Sequence, residues 1–290
     1  MPHHIGIVAC SAEGAALCYR TICADGARLI GSPMGAHGHP EVSMHTPPFA
    51  RYVQCLDRND WEGVGELMLA SASKLAGAGA EFLICPDNTI HQALPHVEPR
   101  SPLPWLHIAD AVTDAAVARG FRRLGLTGTR WLVEGPVYPD KLAAKGIGYE
   151  IPTDGEREEI NRIIMQELVC GVFRPEAVAC FRRVIGRMRA AGCDAVVLGC
   201  TEIPLTTQTR PCRRLDSTRL LALAALRRAL QRAVSRASFA FVIPALVAGM
   251  QLVSCFRARG RLDAGDTGLR RCGQATASPD IACRVTISVR

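Results

Sequence analysis

The chain has 290 residues, 48% of them hydrophobic and 5% aromatic, with a formal net charge of +7. That length suits one large domain or two modest α/β lobes, each able to bury a core. Eight Arg against three Asp after residue 232 supply five of the seven charges; the nearly neutral body has no basic stripe interleaved with aromatics, which argues against nucleic acid as a partner.

In chain order, Met1-Pro2-His3-His4 runs straight into a strand at residues 5–9 without the pattern of an export signal. Ser11 to Gly14 reads as the turn that opens a helix through Leu17 and Ile22. Gly31, Pro33, Gly35, Gly38 and Pro40 mark a flexible loop, followed by a short strand candidate at residues 42–46 that ends in polar groups. Asp60 can cap a helix in which Val64, Leu67, Met68 and Leu75 keep helical spacing, and Gly77 with Gly79 ends it before a strand at 82–85.

Pro95, Pro99, Pro102 and Pro104 punctuate a crossing to a second lobe. Residues 106–109 are a short strand or the lead into a helix through Val112 and Val117, and 124–127 is the next strand. Ile160, Ile163, Ile164 and Leu168 predict an amphipathic helix closed by Gly171; Val178, Phe181, Ile185 and Met188 predict another closed by Gly192. Ala195-Val196-Val197-Leu198 reads as a strand buried on both faces. Asp216 or Ser217 caps a last helix over 220–232.

Two stretches repeat. Laying Gly79 on Gly192 pairs residues 80–84 with 193–197 and carries Asp87-Asn88-Thr89 onto Cys200-Thr201-Glu202, an offset of 113; Ile5-Gly6-Ile7-Val8 pairs with Leu124-Gly125-Leu126-Thr127 at an offset of 119. The expected fold is therefore α/β, with two pseudo-symmetric lobes, each a short, mostly parallel sheet flanked by helices, and the active site between them. Lobe one is expected over 1–104, with 212–232 returning to it, and lobe two over 105–211. Residues 233–290 do not follow this grammar and are expected to form a disordered extension. The apolar run 239–256 within it is interrupted by Pro244, Gly249 and Gln251, which makes a weak membrane span, so a membrane is not the expected partner.

Thirteen cysteines, an odd number without a CxxC pair, fit a reduced, cytoplasmic protein whose thiols are mostly buried small hydrophobes. Cys200 differs from them. It follows Gly199 at a strand's C-terminal end and precedes a hydroxyl and a carboxylate, the setting in which α/β proteins place ligands and reactive thiols. Asp87 occupies the matching place in the first half; an ordinary helix cap is its alternative reading. Asn88, Thr89 and Ser11 offer donors to a carboxylate, as do Thr201 and Glu202 on the other side, where Glu202 can also pair with an ammonium group. His45 can border the pocket, and Arg51 and Lys141 are further candidates for a distal carboxylate. His37, His39, His45 and His91 have no recognised ligand spacing, so no metal is expected. No P-loop or GxGxxG turn follows a strand.

Asp87-Asn88-Thr89-Ile90-His91 and Gly199-Cys200-Thr201-Glu202 resemble the paired motifs of the aspartate/glutamate racemase superfamily, whose usual forms are Cys-Asn-Thr and Gly-Cys-Thr. Residues 5–11, 43–49 and 215–218 resemble that family's segments too, so the similarity covers about residues 4–232. The resemblance implies a cofactor-independent enzyme and suggests a dimer, with two cysteines facing opposite sides of an amino acid's α-carbon. Cys200 falls on the second of these positions and Asp87 on the first. Reference pKa values near 3.9 for Asp and 8.5 for Cys make an aspartate of ordinary acidity the weaker base by roughly 6 kcal/mol. The expected activity is racemisation of aspartate or glutamate by Cys200 and Asp87. The alternatives are a malonate-type decarboxylase or maleate-type isomerase that uses Cys200 alone, and a non-catalytic carboxylate sensor.

Overall fold

Two four-stranded sheets, parallel throughout, carry the chain, and each is wound in the same way. The structure, a computed structural model, describes residues 2–30, 38–200 and 213–231. The first sheet contains β1 (Ile5–Val8), β2 (Val42–His45), β3 (Phe82–Ile84) and β4 (Trp105–Leu106) in the order β2-β1-β3-β4. The second contains β5 (Arg123–Thr127), β6 (Gly148–Glu150), β7 (Ala195–Leu198) and β8 (Arg214–Asp216) in the order β6-β5-β7-β8. In each sheet the chain moves outward on one side and then returns across the starting strand. A topological switch point therefore lies between β1 and β3, and another between β5 and β7.

The strands are short apolar runs because both faces of each sheet are covered. Ile5, Ile7, Phe82 and Ile84 pack with Cys18 and Ile22 of α1 (Ala12–Ile30) and with Leu221, Ala225 and Leu226 of α10 (217–231). Val8 and Leu83 pack on the other face with α2 (Phe49–Asp57), α3 (Trp61–Gly77) and α4 (Leu94–Val97). In the second sheet Leu124, Leu126, Ala195 and Val197 face α5 (Ile108–Ala118), α6 (Arg130–Val133) and α7 (Pro139–Ala143). Val196 and Leu198 face α8 (Asp154–Gln166) and α9 (Pro175–Ala190).

The internal repeat is visible in the backbone as well. Gly79 and Gly192 leave α3 and α9 with φ of +91° and +88°, a left-handed conformation that a side chain would strain, and each leads into the third strand of its sheet. Asp60 caps α3 by accepting from the Gly63 N–H at 2.7 Å, and Asp216 accepts from the Arg219 N–H at 3.0 Å at the start of α10.

Sheet membership shifts the expected lobe edges. Trp105–Leu106 pairs with β3 in the first sheet, so the proline-rich segment joins two strands of that sheet and the crossing comes after residue 106. Arg214–Asp216 pairs with β7 in the second sheet, and only the helix behind it returns to the first lobe, whose core its apolar face completes. The predicted helix ending at Gly171 stops at Gln166, and a 3-10 turn over Leu168–Cys170 carries the chain to Gly171, which has φ of +73°. Neither α2 nor β6 was expected from periodicity. Among the described residues no helix is long and apolar enough to cross a membrane. The loop residues 31–37 and the extension 233–290 lie outside the described residues.

Candidate active site

The strand registers assemble the site. In the first sheet Ile7 lies opposite Ile84, and the loops that leave these neighbouring strands carry Cys10 and Asp87. In the second sheet Thr127 lies opposite Leu198, and the loops beyond carry Thr129 and Cys200. Each switch point thus presents two functional groups to one space.

All four residues line one cavity of about 30 Å³, together with Ser11, Asn88, Thr89 and Gly199 and an apolar wall that includes Phe49, Trp131 and Met165. Among the described residues of its wall there is one carboxylate, from Asp87, and no Lys or Arg.

Local hydrogen bonds fix the first-lobe wall. Asp87 Oδ1 accepts from the Ile90 N–H at 3.2 Å, and the Asp87 carbonyl accepts from His91 Nδ1 at 2.6 Å. His91 Nε2 in turn accepts from the Ile108 N–H at 3.2 Å, so the buried ring is neutral with its proton on Nδ1. Burial, followed by the neighbouring His107, pushes its pKa down to about 3. His107 is itself lowered to about 4 by burial and by Lys141.

The amide of Asn88 is committed to structure. Its Oδ1 accepts from the Tyr138 hydroxyl at 2.7 Å and its Nδ2 donates to Ser217 Oγ at 2.9 Å, while Ser217 donates to the Leu198 carbonyl at 2.9 Å. Asn88 thus ties the first-lobe loop to the end of β7. Thr89 and Thr129 share a hydroxyl hydrogen bond of 2.8 Å across the cavity floor, and Thr129 Oγ1 also accepts from the Leu132 N–H at 3.3 Å. Ser11 accepts from the Gly14 N–H at 3.3 Å and so opens α1.

The other expected residues divide into two sets. His45 does not line the cavity: it ends β2, an edge strand, and its ring bonds to Ser71 at 2.9 Å and Lys74 at 2.9 Å on α3. Desolvation and then Lys74 lower its pKa. Lys141 is paired with Asp110 at 2.9 Å, and Arg51 is exposed on α2; neither lines the cavity. Thr201 and Glu202 lie outside the described residues. No cluster of three or more metal-ligating side chains occurs among the described residues.

Residues 27–225 match the model of the Asp/Glu/hydantoin racemase family. The chain belongs to that family. A candidate Asp/Glu racemase of Yersinia pestis is 31% identical over 79% of this chain and 100% of its own, with a TM-score of 0.70. An aspartate racemase homologue of Pyrococcus horikoshii is 27% identical over 80% of this chain and 100% of its own, with a TM-score of 0.65. The aspartate racemase of Picrophilus torridus, at 18% identity over 78% of this chain and 94% of its own, has a TM-score of 0.64 and so shares the fold.

Against the family's two site motifs, the unanticipated members of this racemase-family cavity include Cys10, Thr129 and Trp131. Cys10 is 2% exposed and reads as a core thiol by composition. The internal repeat held the missing signal, because the offset of 119 that pairs the first strands also pairs Cys10 with Thr129.

Proposed function

We propose that the protein is a cofactor-independent racemase of an acidic amino acid, aspartate or glutamate. The observation that carries this reading is the single cavity lined by strand-end groups from both sheets, Cys200 from one and Asp87 with its neighbours from the other. Racemisation needs an acid–base group on each face of the α-carbon, and opposed walls supply that arrangement.

In this reading the Cys200 thiolate takes the α-proton from one face. The electron pair left on the α-carbon delocalises into the α-carboxylate, whose growing charge is met by hydroxyl donors at Ser11, Thr89 and Thr129. A proton is then returned to the opposite face from the first-lobe wall, where Asp87 stands at the place matching Cys200. Phe49, Trp131 and Met165 line the apolar side of the cavity and shield the carbanion, while the acid–base groups exchange their protons with solvent between turnovers.

The test is the full chain in heavy water with L- and D-aspartate and L- and D-glutamate, followed by α-proton NMR and chiral analysis. Loss of the α-proton signal with appearance of the opposite enantiomer is expected. Absence of both, for both acids, would overturn the reading. The lack of a thiol at position 87 favours a second reading, in which Cys200 acts alone on a non-amino dicarboxylate; turnover of a substituted malonate or of maleate without any amino-acid exchange would establish it.

A further inference from the structure

The two walls of the cavity carry the same pair of chemical types in exchanged places. On the second lobe a hydroxyl, Thr129, follows β5 and a thiol, Cys200, follows β7. On the first lobe a thiol, Cys10, follows β1 and a carboxylate, Asp87, follows β3. Each wall thus offers one sulfur and one oxygen group, carried just beyond the ends of two paired strands and lining the same cavity.

We infer that Cys10, rather than Asp87, is the acid–base group of the first-lobe wall, and that Asp87 beside it binds the α-ammonium group of the substrate. The inference rests on the racemase reading and assigns its second proton donor.

Three observations support it. Matching of acid–base strength comes first: a thiol opposite a thiol lets either enantiomer be deprotonated with similar driving force, whereas a carboxylate of ordinary acidity opposite Cys200 would be the weaker base by roughly 6 kcal/mol. Charge comes second. An acidic amino acid brings a net negative charge to a wall whose described residues include a carboxylate and no Lys or Arg, and that carboxylate is favourable only where it meets the ammonium group, which is bonded to the α-carbon itself. Location comes third, since Cys10 lies on the cavity wall, whereas Cys85, the other thiol near this strand end, is fully buried, directs its Sγ toward the Asp87 carbonyl at 3.9 Å and has its pKa pushed well up by burial.

A buried phenol registers the same cluster. The Tyr52 hydroxyl is enclosed and makes no hydrogen bond; Ser71 is near enough to ease its ionisation, but the Ser71 hydroxyl is bonded to Leu67 and His45. Burial raises the Tyr52 pKa first, and the charges of Cys10, Cys85 and Asp87 raise it further. Cys10 and Asp87 are thus both near Tyr52.

The proton balance is simple. The thiolate of one cysteine removes the α-proton and becomes a thiol, the carbanion forms, and the thiol of the other cysteine gives its proton to the opposite face and becomes a thiolate. The next turnover runs from that state or after proton exchange with solvent.

Full-length Cys10→Ser, Cys200→Ser and Asp87→Asn would be compared with the wild-type chain in heavy water. Cys10→Ser is expected to lose racemisation by 100-fold or more yet still exchange the α-proton of one enantiomer; Cys200→Ser should exchange only the other. Asp87→Asn should exchange both, with KM raised about 10-fold and the balance between enantiomers kept. One-sided exchange in Asp87→Asn together with two-sided exchange in Cys10→Ser would overturn the inference and leave the racemase reading intact. A wild-type chain that exchanges neither acid fails the racemase reading instead. Iodoacetamide labelling of that wild-type chain then judges the thiols: alkylation of Cys10 and Cys200 ahead of Cys18 and Cys85, which do not line the cavity, upholds the pair, and Cys10 lagging with those two overturns it.

Discussion

The two strand-end walls are built on one topology and held in place by different physics. On the second lobe the residues just before the functional pair are Gly128 and Gly199, and the Gly199 N–H donates to the Thr127 carbonyl at 2.8 Å. A Cβ on Gly199 would lie 2.4 Å from that carbonyl oxygen and 2.6 Å from Leu132 Cδ2. On the first lobe the same strand positions carry Ala9 and Pro86, and the loop beyond is fixed by hydrogen bonds of Asp87, Asn88 and His91. One wall depends on the absence of atoms and the other on the presence of polar ones. Cys200 is therefore vulnerable to added volume behind it, and Asp87 to a lost partner.

The largest contrast is expected in activity. Cys200→Ala should lower racemisation by at least about 1,000-fold, within the usual range for loss of an acid–base group, with unfolding by urea unchanged to within about 1 kcal/mol. Racemisation surviving in Cys200→Ala would break the assignment of the second-lobe wall.

Stability separates the walls next. Gly199→Ala forces a methyl group against a backbone oxygen and a leucine in a close-packed region and should cost about 2–3 kcal/mol, read from the urea midpoint at constant slope. Pro86→Ala, at the matching place on the other lobe, should cost less than about 1 kcal/mol. Equal losses would show that the strand ends are held alike. The converse test is Asn88→Ala, which leaves the Tyr138 hydroxyl without its acceptor in the interior and severs the bond to Ser217. A loss of about 2 kcal/mol is expected, and Tyr138→Phe should account for part of it.

These walls were unequally legible in the sequence. Cys200 stood out because a buried apolar run, a glycine and a polar trio occur in succession, and the repeat transferred that pattern to Asp87. The two lobes and their parallel sheets followed from the same repeat. Cys10 did not stand out, because a cysteine at the end of Ile-Gly-Ile-Val-Ala looks like one more packed thiol until the fold sets it on the same cavity wall as Asp87. Asn88 was read as a substrate clamp on residue type alone; its partners Tyr138 and Ser217 are 50 and 129 residues away, and no local pattern joins them. His45 was read from position alone in the same way. Sequence placed it at a strand end, but only the sheet order shows that the strand is at an edge and that α3 supplies its hydrogen bonds.

Acid provides the gentlest probe, and it should act on the first-lobe wall. His91 lies under Asp87 as a neutral ring; burial and His107 lower its pKa to about 3, against the smaller raising effects of the Asp87 and Leu106 backbone and of Asp110. An unfolded histidine titrates near 6.5, so between these two values the unfolded chain binds a proton that the folded chain refuses, and stability falls as pH falls. The contribution is complete above pH 6.5 and is lost progressively toward pH 3. Lowering the pH from 6.5 to 5.5 should remove about 1 kcal/mol through His91 alone, with His107, lowered to about 4 by burial and Lys141, adding to the same slope. His91→Gln keeps a donor for the Asp87 carbonyl without the titration, and its stability should therefore vary less steeply over that interval than that of the wild-type chain. Slopes that coincide would mean that the ring does not resist protonation and that the Asp87 loop is held in some other way.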